Sequence, residues 1–367
     1  MIEALSPLDV DIRRRIKAAG PMPVAEFMAL CLSDPQHGYY MTHDPLGTAG
    51  DFTTAPEVSQ IFGELIGLWM AATWRQMGSP ENVRIVELGP GRGTMLKDAL
   101  RAVQVMPAFL AAAVVHLVEI SPALQAAQER NLDGSSVPVF WHDRLEDVPG
   151  GPSIIVANEF FDALPVNQAV KQADGWHQRM VALDRNGDLF YCEADEALAG
   201  LDRLLPESVR NAEAGEIFEW RTDTVAMEIG RRIAREPGAA LVIDYGHDES
   251  ATGDTLQAVG RHAFADPLEA PGTIDLTAHV DFQALSQAAE CMGARAYGPL
   301  EQAELLRRLG IEARAAKLCE NADREQTQAI DAAVARLTGR GRTGMGALFK
   351  AIAFAHSSVG TPPGLDA

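Results

Sequence analysis

VRIVELGPGRGTML (Val83–Leu96) decides the fold. Its first six residues form an apolar run interrupted only by Arg84 and Glu87, the pattern of a strand buried on both faces. Gly89-Pro-Gly91-Arg-Gly93 breaks the strand, and Thr94 opens a run with helical periodicity. A strand that enters a glycine loop and leaves as a helix aims backbone N–H groups at whatever sits on the carboxyl edge of the sheet.

The alternation continues outward from this unit. VVHLVEI (Val114–Ile120), VPVFW (Val137–Trp141), SIIVAN (Ser153–Asn158) and ALVIDYG (Ala240–Gly246) predict further buried strands, and Ala123–Leu132 predicts a helix. GALFKAIAFAH (Gly346–His356) predicts a last strand. Apolar strands separated by helices predict an α/β fold with a doubly wound, mostly parallel sheet. Upstream, residues 8–33 read as two helices broken at Gly20-Pro-Met-Pro23, and Val58–Gly78 as a helix with Ile61, Leu65, Leu68 and Trp69 on its apolar face. The Gly/Pro/Asp-rich stretch Ser33–Glu57 between them is long enough to expect a functional loop, here a lid.

Gln168–Glu193 predicts an inserted β-hairpin turning at Asp184-Arg-Asn-Gly187. Helices are expected near 223–235, 279–292 and 302–337. The implied organisation has N-terminal helices and the lid in 1–78 and a core in 79–166 and 237–356 with C-terminal helical additions. Residues 167–236 form an insertion of hairpin and helix, and 357–367 a disordered tail.

The 367 residues are 47% hydrophobic and 22% charged, which suits a sizeable core. The net charge of −20 repels phosphate backbones and anionic membranes, so nucleic acid is not expected as the main partner. A cationic side chain on another protein fits better, although most of the excess acids serve solubility. Cys31, Cys192, Cys291 and Cys319 lie far apart without a CxxC pair, which argues against a metal site or a disulfide framework. The N-terminus lacks an apolar run of signal length, and no stretch approaches the roughly 18–20 apolar residues of a membrane span. No membrane insertion and a cytoplasmic location are therefore expected.

Two cofactor classes use a strand–glycine loop–helix unit. Dinucleotide enzymes carry GxGxxG with the pyrophosphate on the helix N-terminus. Here the spacing is GxGxG, and Glu87 precedes it at the strand end. A carboxylate there repels a pyrophosphate and suits a cation; S-adenosylmethionine carries an ammonium and a sulfonium. Glu119, ending the second strand, is either a solvated strand-end acid or a ribose ligand, and its place one βα unit after the loop favours ribose. Asp143 follows the third strand, where either an adenine amine or the N-cap of a short helix would account for it. Glu87, Gly89, Pro90, Gly91, Gly93, Glu119, Asp143 and Asn158 are the candidate cofactor residues.

The fourth strand runs into NEFFDALPV (Asn158–Val166). Glu159 and Asp162 facing a crevice would need a cationic partner, and a guanidinium can take bidentate hydrogen bonds from carboxylates. The competing reading makes them acids at a helix N-terminus, favoured by its dipole. Asn158, Glu159, Asp162 and Asp51 (in GDFTTAPE, Gly50–Glu57) are the candidate catalytic residues. Asp244 and Tyr245 are expected to point into the same crevice, and His279 to be structural.

The assembled pattern resembles the MidA-like (DUF185) family of S-adenosylmethionine-dependent methyltransferases, whose fold is a class I, Rossmann-like one. The resemblance spans almost the whole chain and rests on HGYY (His37–Tyr40), GDFTTAPEVSQIFGELIG (Gly50–Gly67), VELGPGRGTML (Val86–Leu96), VEISPAL (Val118–Leu124), NEFFDALPVNQ (Asn158–Gln168), IDYG (Ile243–Gly246), DTLQA (Asp254–Ala258) and PGTIDLTAHVDF (Pro271–Phe282). It implies methylation of a protein arginine, on a respiratory complex I subunit in the family's mitochondrial members, and a link to that complex's assembly. It puts Glu87, Gly89, Gly91 and Glu119 in the cofactor site, and Gly50–Ser59 and Asn158–Asp162 beside the substrate. The chain departs from the family at Gly298-Pro-Leu-Glu301, where members carry Thr-Gln after Gly-Pro, so the substrate side is expected to differ there. A different acceptor, an assembly chaperone that holds cofactor structurally, and a nicotinamide dehydrogenase are the rival readings; a homodimer is one expected assembly.

Overall fold

The structure is a computed structural model describing residues 5–42, 54–260, 263–341 and 344–366. Val83–Leu88 (β1) lies in the interior of the largest sheet. On one side it pairs in parallel with Ala113–Val118 (β2), which pairs with Val139–His142 (β3). On the other it pairs in parallel with Ser153–Asn158 (β4), which pairs with Gly238–His247 (β5). Phe349–Ala355 (β6) is antiparallel to β5 and to the edge strand Arg295–Glu301. Strand order therefore reverses between β1 and β4, and the crevice above their carboxyl ends is where open α/β sheets take ligands.

Alternate residues of each strand explain why the sheet is covered on both faces. Ile85, Ile154, Val156, Leu241 and Ala353 join one buried cluster with Gln60–Gln76 (α1) and Thr94–Ala102 (α2). Val86, Ile155, Val242 and Phe354 join another with Thr224–Arg235 and Phe282–Cys291. Each fully buried aliphatic or aromatic side chain contributes roughly 1.5–3 kcal/mol, so these alternating rows supply much of the driving force. The helices α1 and α2 approach closely because Gly63 and Gly67 lack side chains: a Cβ would stand 2.7 Å from Met95 O and 2.6 Å from Ala99 O. Leu68, read from the sequence as part of α1's apolar face, is 41% exposed; the buried stripe is Ile61, Leu65 and Trp69.

The insertion is larger than a hairpin. Val166–Gln172 pairs antiparallel with both Gly175–Leu183 and Ile217–Arg221, and Leu189–Ala197 closes the hairpin over Asp184–Asp188. Met22–Pro23 adds a short strand at the far edge. Pro7–Ala19 and Val24–Ser33 pack here through Leu8, Ile12, Phe27 and Met28 against Val166 and Val181, together with Leu276 of a small third sheet. The segment expected as one N-terminal unit, 1–78, thus divides: its first helices join the insertion, and α1 joins the core. The helix Thr224–Arg235, expected within the insertion, packs on the core sheet.

The expected disordered tail at 357–367 is corrected over its described residues, 357–366. Val359 and Leu365 are buried in the cluster beside α1, and Trp69 Nε1 donates to Pro363 O at 3.1 Å. The single expected helix 302–337 is three, Gln302–Arg308, Ile311–Cys319 and Arg324–Thr338. No helix among the described residues is long and apolar enough to cross a membrane.

Candidate active site

A cavity of about 430 Å3 opens above the carboxyl ends of β1, β2 and β4. At one end Gly89, Gly91 and Gly93 hold φ values of 60°, 54° and 78°, left-handed conformations that favour glycine. A Cβ on Gly89 would also meet the Phe160 ring at 2.8 Å. Gly93 caps α2 without a side-chain hydrogen bond, which leaves the first-turn N–H groups without a side-chain cap. Glu87, Gly89, Pro90, Gly91, Glu119, Asp143, Asn158, Glu159 and Asp162 all line the cavity. Gly93 does not, and serves as the cap packed against Gln128 instead.

Glu87 is 5% exposed, and its Oε2 has no hydrogen-bond partner among the described residues. Burial alone pushes its carboxyl up to about 8. A buried acid left unpartnered on a cavity wall fits the ammonium of S-adenosylmethionine. Glu119 accepts from Ser121 N at 2.8 Å and from Gln128 Nε2 at 3.2 Å, and burial raises its carboxyl. Gln128 also donates to Gly91 O at 2.7 Å and accepts from Trp141 Nε1 at 2.8 Å, so one buried amide ties the glycine loop to the second strand end. Asp143 is exposed, and the short helical turn after it is capped by Arg144 without a side-chain bond, which removes the N-cap reading.

Across the cavity, Glu159 has φ 50°, a left-handed conformation for a residue with a side chain. Its Oε1 accepts from Ala55 N at 3.0 Å and Asn158 Nδ2 at 3.2 Å. Burial, with Asp162 adding to it, pushes Glu159 up to about 7. Asp162 is 5% exposed, with Oδ1 unpartnered among the described residues; burial raises it to about 6 against the pull of Arg221. Neither acid sits on a helix N-terminus, since residues 159–165 hold turns and no helix. Tyr40, Tyr245 and Thr277 line this end, and Tyr40 Oη donates to Asp275 Oδ2 at 2.9 Å.

Two expectations change. Asp244 does not face the cavity: it is fully buried beneath the loop, and only Tyr245 lines the crevice. Gly298–Glu301, where the chain departs from its family, lies on the edge strand away from the cavity lining. Asp51, Gly50 and the middle of the expected lid lie outside the described residues. His279 lines a second cavity behind the loop, and its N–H bonds Thr255 Oγ1 at 2.9 Å. The FGE segment of α1 proves structural: Glu64 pairs with Arg101 at 3.0 Å and Arg314 at 2.7 Å. Sequence reading gave no role to Tyr40, Asp275, Gln128 and Arg221; Tyr40 in HGYY and Asp275 in PGTIDLTAHVDF stood in family motifs, and the other two carried no signal.

Residues 65–300 match a family described as S-adenosyl-L-methionine-dependent methyltransferase. The chain is 38% identical to "Protein arginine methyltransferase NDUFAF7 homolog, mitochondrial" of Drosophila melanogaster, over 93% of this chain and 83% of that one. It is also 38% identical to the Homo sapiens protein arginine methyltransferase NDUFAF7, over 84% and 75%. A Burkholderia thailandensis protein crystallised with S-adenosyl-homocysteine superposes with a TM-score of 0.84 at 27% identity, over 100% of this chain and 96% of that one. The Drosophila melanogaster and Homo sapiens relatives are named as mitochondrial, which overturns the expected cytoplasmic location.

Proposed function

From the premise that the chain belongs to this family of S-adenosyl-L-methionine-dependent methyltransferases, we propose that its acceptor is an arginine guanidinium of another protein. A respiratory complex I subunit is the acceptor the family resemblance suggests. The observation that carries the reading is one cavity with carboxylates out of bulk water at both ends, buried Glu87 beside the glycine loop and half-buried Glu159 with buried Asp162 opposite.

In this reading Glu87 takes the ammonium of the methyl donor, the glycine loop lets the backbone approach it, and Glu119 takes the ribose hydroxyls. The bound sulfonium supplies an already activated methyl group, so the protein's work is alignment and exclusion of water. Glu159 and Asp162 hold the guanidinium through charge-assisted hydrogen bonds. Methylating a guanidinium nitrogen releases one proton, and Glu159, poised at about 7, accepts it on a carboxylate oxygen. Asp143, on the cavity lining, would meet the adenine amine.

Mass spectrometry of proteins from cells with and without the gene tests the proposal. One or more methylarginine sites should vanish without it. An unchanged set of methylarginines, with methylation lost from another residue type, would replace arginine as the acceptor.

A further inference from the structure

The turn that carries Glu159 and Asp162 has its backbone polar groups drawn to two charged side chains beneath it. Asp244, at the end of β5, accepts through Oδ2 from the N–H groups of Phe160, Phe161 and Asp162 at 3.1, 2.9 and 3.3 Å. Its Oδ1 accepts from Tyr245 N at 2.9 Å, and Glu159 N donates to Ile243 O at 2.9 Å. Successive N–H groups that converge on one acceptor form a nest, and here the acceptor is a buried carboxyl oxygen of the protein itself. The carbonyls go the other way. Arg221 donates from Nε to Leu164 O at 3.2 Å, from Nη2 to Ala278 O at 2.6 Å and Asp162 O at 3.4 Å, and from Nη1 to His279 O at 2.7 Å.

We propose that Asp244 and Arg221 are positioning residues that fix the Glu159–Leu164 turn, so that methyl transfer depends on both although neither lines the cavity. The proposal rests on the role read above for Glu159 and Asp162. Glu159 keeps its left-handed backbone only if its surroundings over-determine it. The bonds to Ile243 and Asp244 supply that constraint from the core sheet. Arg221 ends Ile217–Arg221, a strand of the insertion, so the insertion sheet also has a hand on the reacting end. A planar guanidinium can reach several carbonyls at once, which a lysine ammonium cannot do in the same geometry.

Two variants approach the turn from opposite sides. Asp244→Asn keeps the shape but leaves one accepting oxygen for four N–H donors. Arg221→Lys keeps the charge and loses the fork. Both should retain S-adenosyl-homocysteine affinity by calorimetry within about twofold, because the glycine loop is untouched. With tritiated methyl donor and protein extract from cells lacking the gene, kcat should fall ~10- to 100-fold while KM for the donor holds, as expected when reacting groups shift by about 1 Å. Folded variants that turn over like the parent overturn the proposal, as does a loss of S-adenosyl-homocysteine affinity matching the loss of turnover. If Asp244→Asn does not fold, Arg221→Lys decides by the same criteria. Glu159→Gln is run alongside. If it is inactive while both positioning variants are active, the positioning proposal alone fails; if it is fully active, the role of the turn itself is wrong and the proposal falls with it.

Discussion

The two ends of the cavity are built on opposite principles. The glycine end comes from one contiguous strand, loop and helix, Val83–Ala102, with Glu119 added by the next strand. Its positive-φ positions are glycines, and its buried carboxylate Oε2 at Glu87 has no partner among the described residues. The other end is collected from Tyr40, Glu159, Asp162, Tyr245, Asp275 and Thr277, which lie in the N-terminal segment, the core and the small third sheet. Its positive-φ residue is a glutamate, held by neighbours. The contrast suggests a division of labour. A ligand common to every turnover can be met by a local, backbone-lined cradle, whereas an acceptor presented by another protein is met by side chains that only the tertiary fold brings together.

If that division is right, damage to each end should separate cleanly. Gly91→Val puts a β-branched residue at φ 54°, a conformation such residues almost never adopt. The loop must rearrange, and affinity for S-adenosyl-homocysteine should fall at least ~100-fold, about 2.7 kcal/mol. Calorimetry on the folded variant checks this, and unchanged affinity would detach the loop from the cofactor. Glu159→Gln should do the converse. Cofactor affinity should hold while turnover drops by ~10- to 150-fold, the roughly 1.5–3 kcal/mol of one hydrogen bond to a charged group. A variant weakened equally in both assays would mean that the two ends are one site.

The same contrast governs what the sequence could reveal. Val83–Leu96 is legible because strand, glycine loop and helix start are all local signals. The insertion sheet was reduced to a hairpin because VNQAVKQ and IFEWR are short, mixed in polarity, and pair with each other only across about fifty residues of chain. Two-residue alternation along β5 could have separated Asp244 from Tyr245, since successive side chains on a strand point to opposite faces. Arg221 and Gln128 carry no motif at all; their importance lies in the carbonyls and amides they reach. The tail was expected to be disordered as a chain terminus, when Val359 and Leu365 were the residues to weigh.

The smallest expected effect is a dependence on pH, and it belongs to the glycine end. Glu87 has a folded-state value of about 8 against an ordinary 4.5, raised by burial. In the free protein near neutrality it is therefore mostly protonated. A bound ammonium favours the carboxylate, so binding at pH 7 releases a proton, and affinity should rise by up to ~10-fold per pH unit until about pH 8 and then level. Stability of the free protein runs in the opposite sense. A carboxyl raised in the folded state contributes stability that is complete below its unfolded value and is lost as pH climbs through its folded one, and Glu159 and Asp162 have the same sign. Melting temperature should thus decline from about pH 5 to 8, and less so with S-adenosyl-homocysteine bound. Glu87→Gln removes the titrating group, so it should bind more weakly at pH 8, lose the rise of affinity with pH, and melt above the parent at pH 8. An affinity in the parent that stays flat between pH 6 and 8 would mean that Glu87 does not meet the ammonium, and the orphaned oxygen would need another occupant.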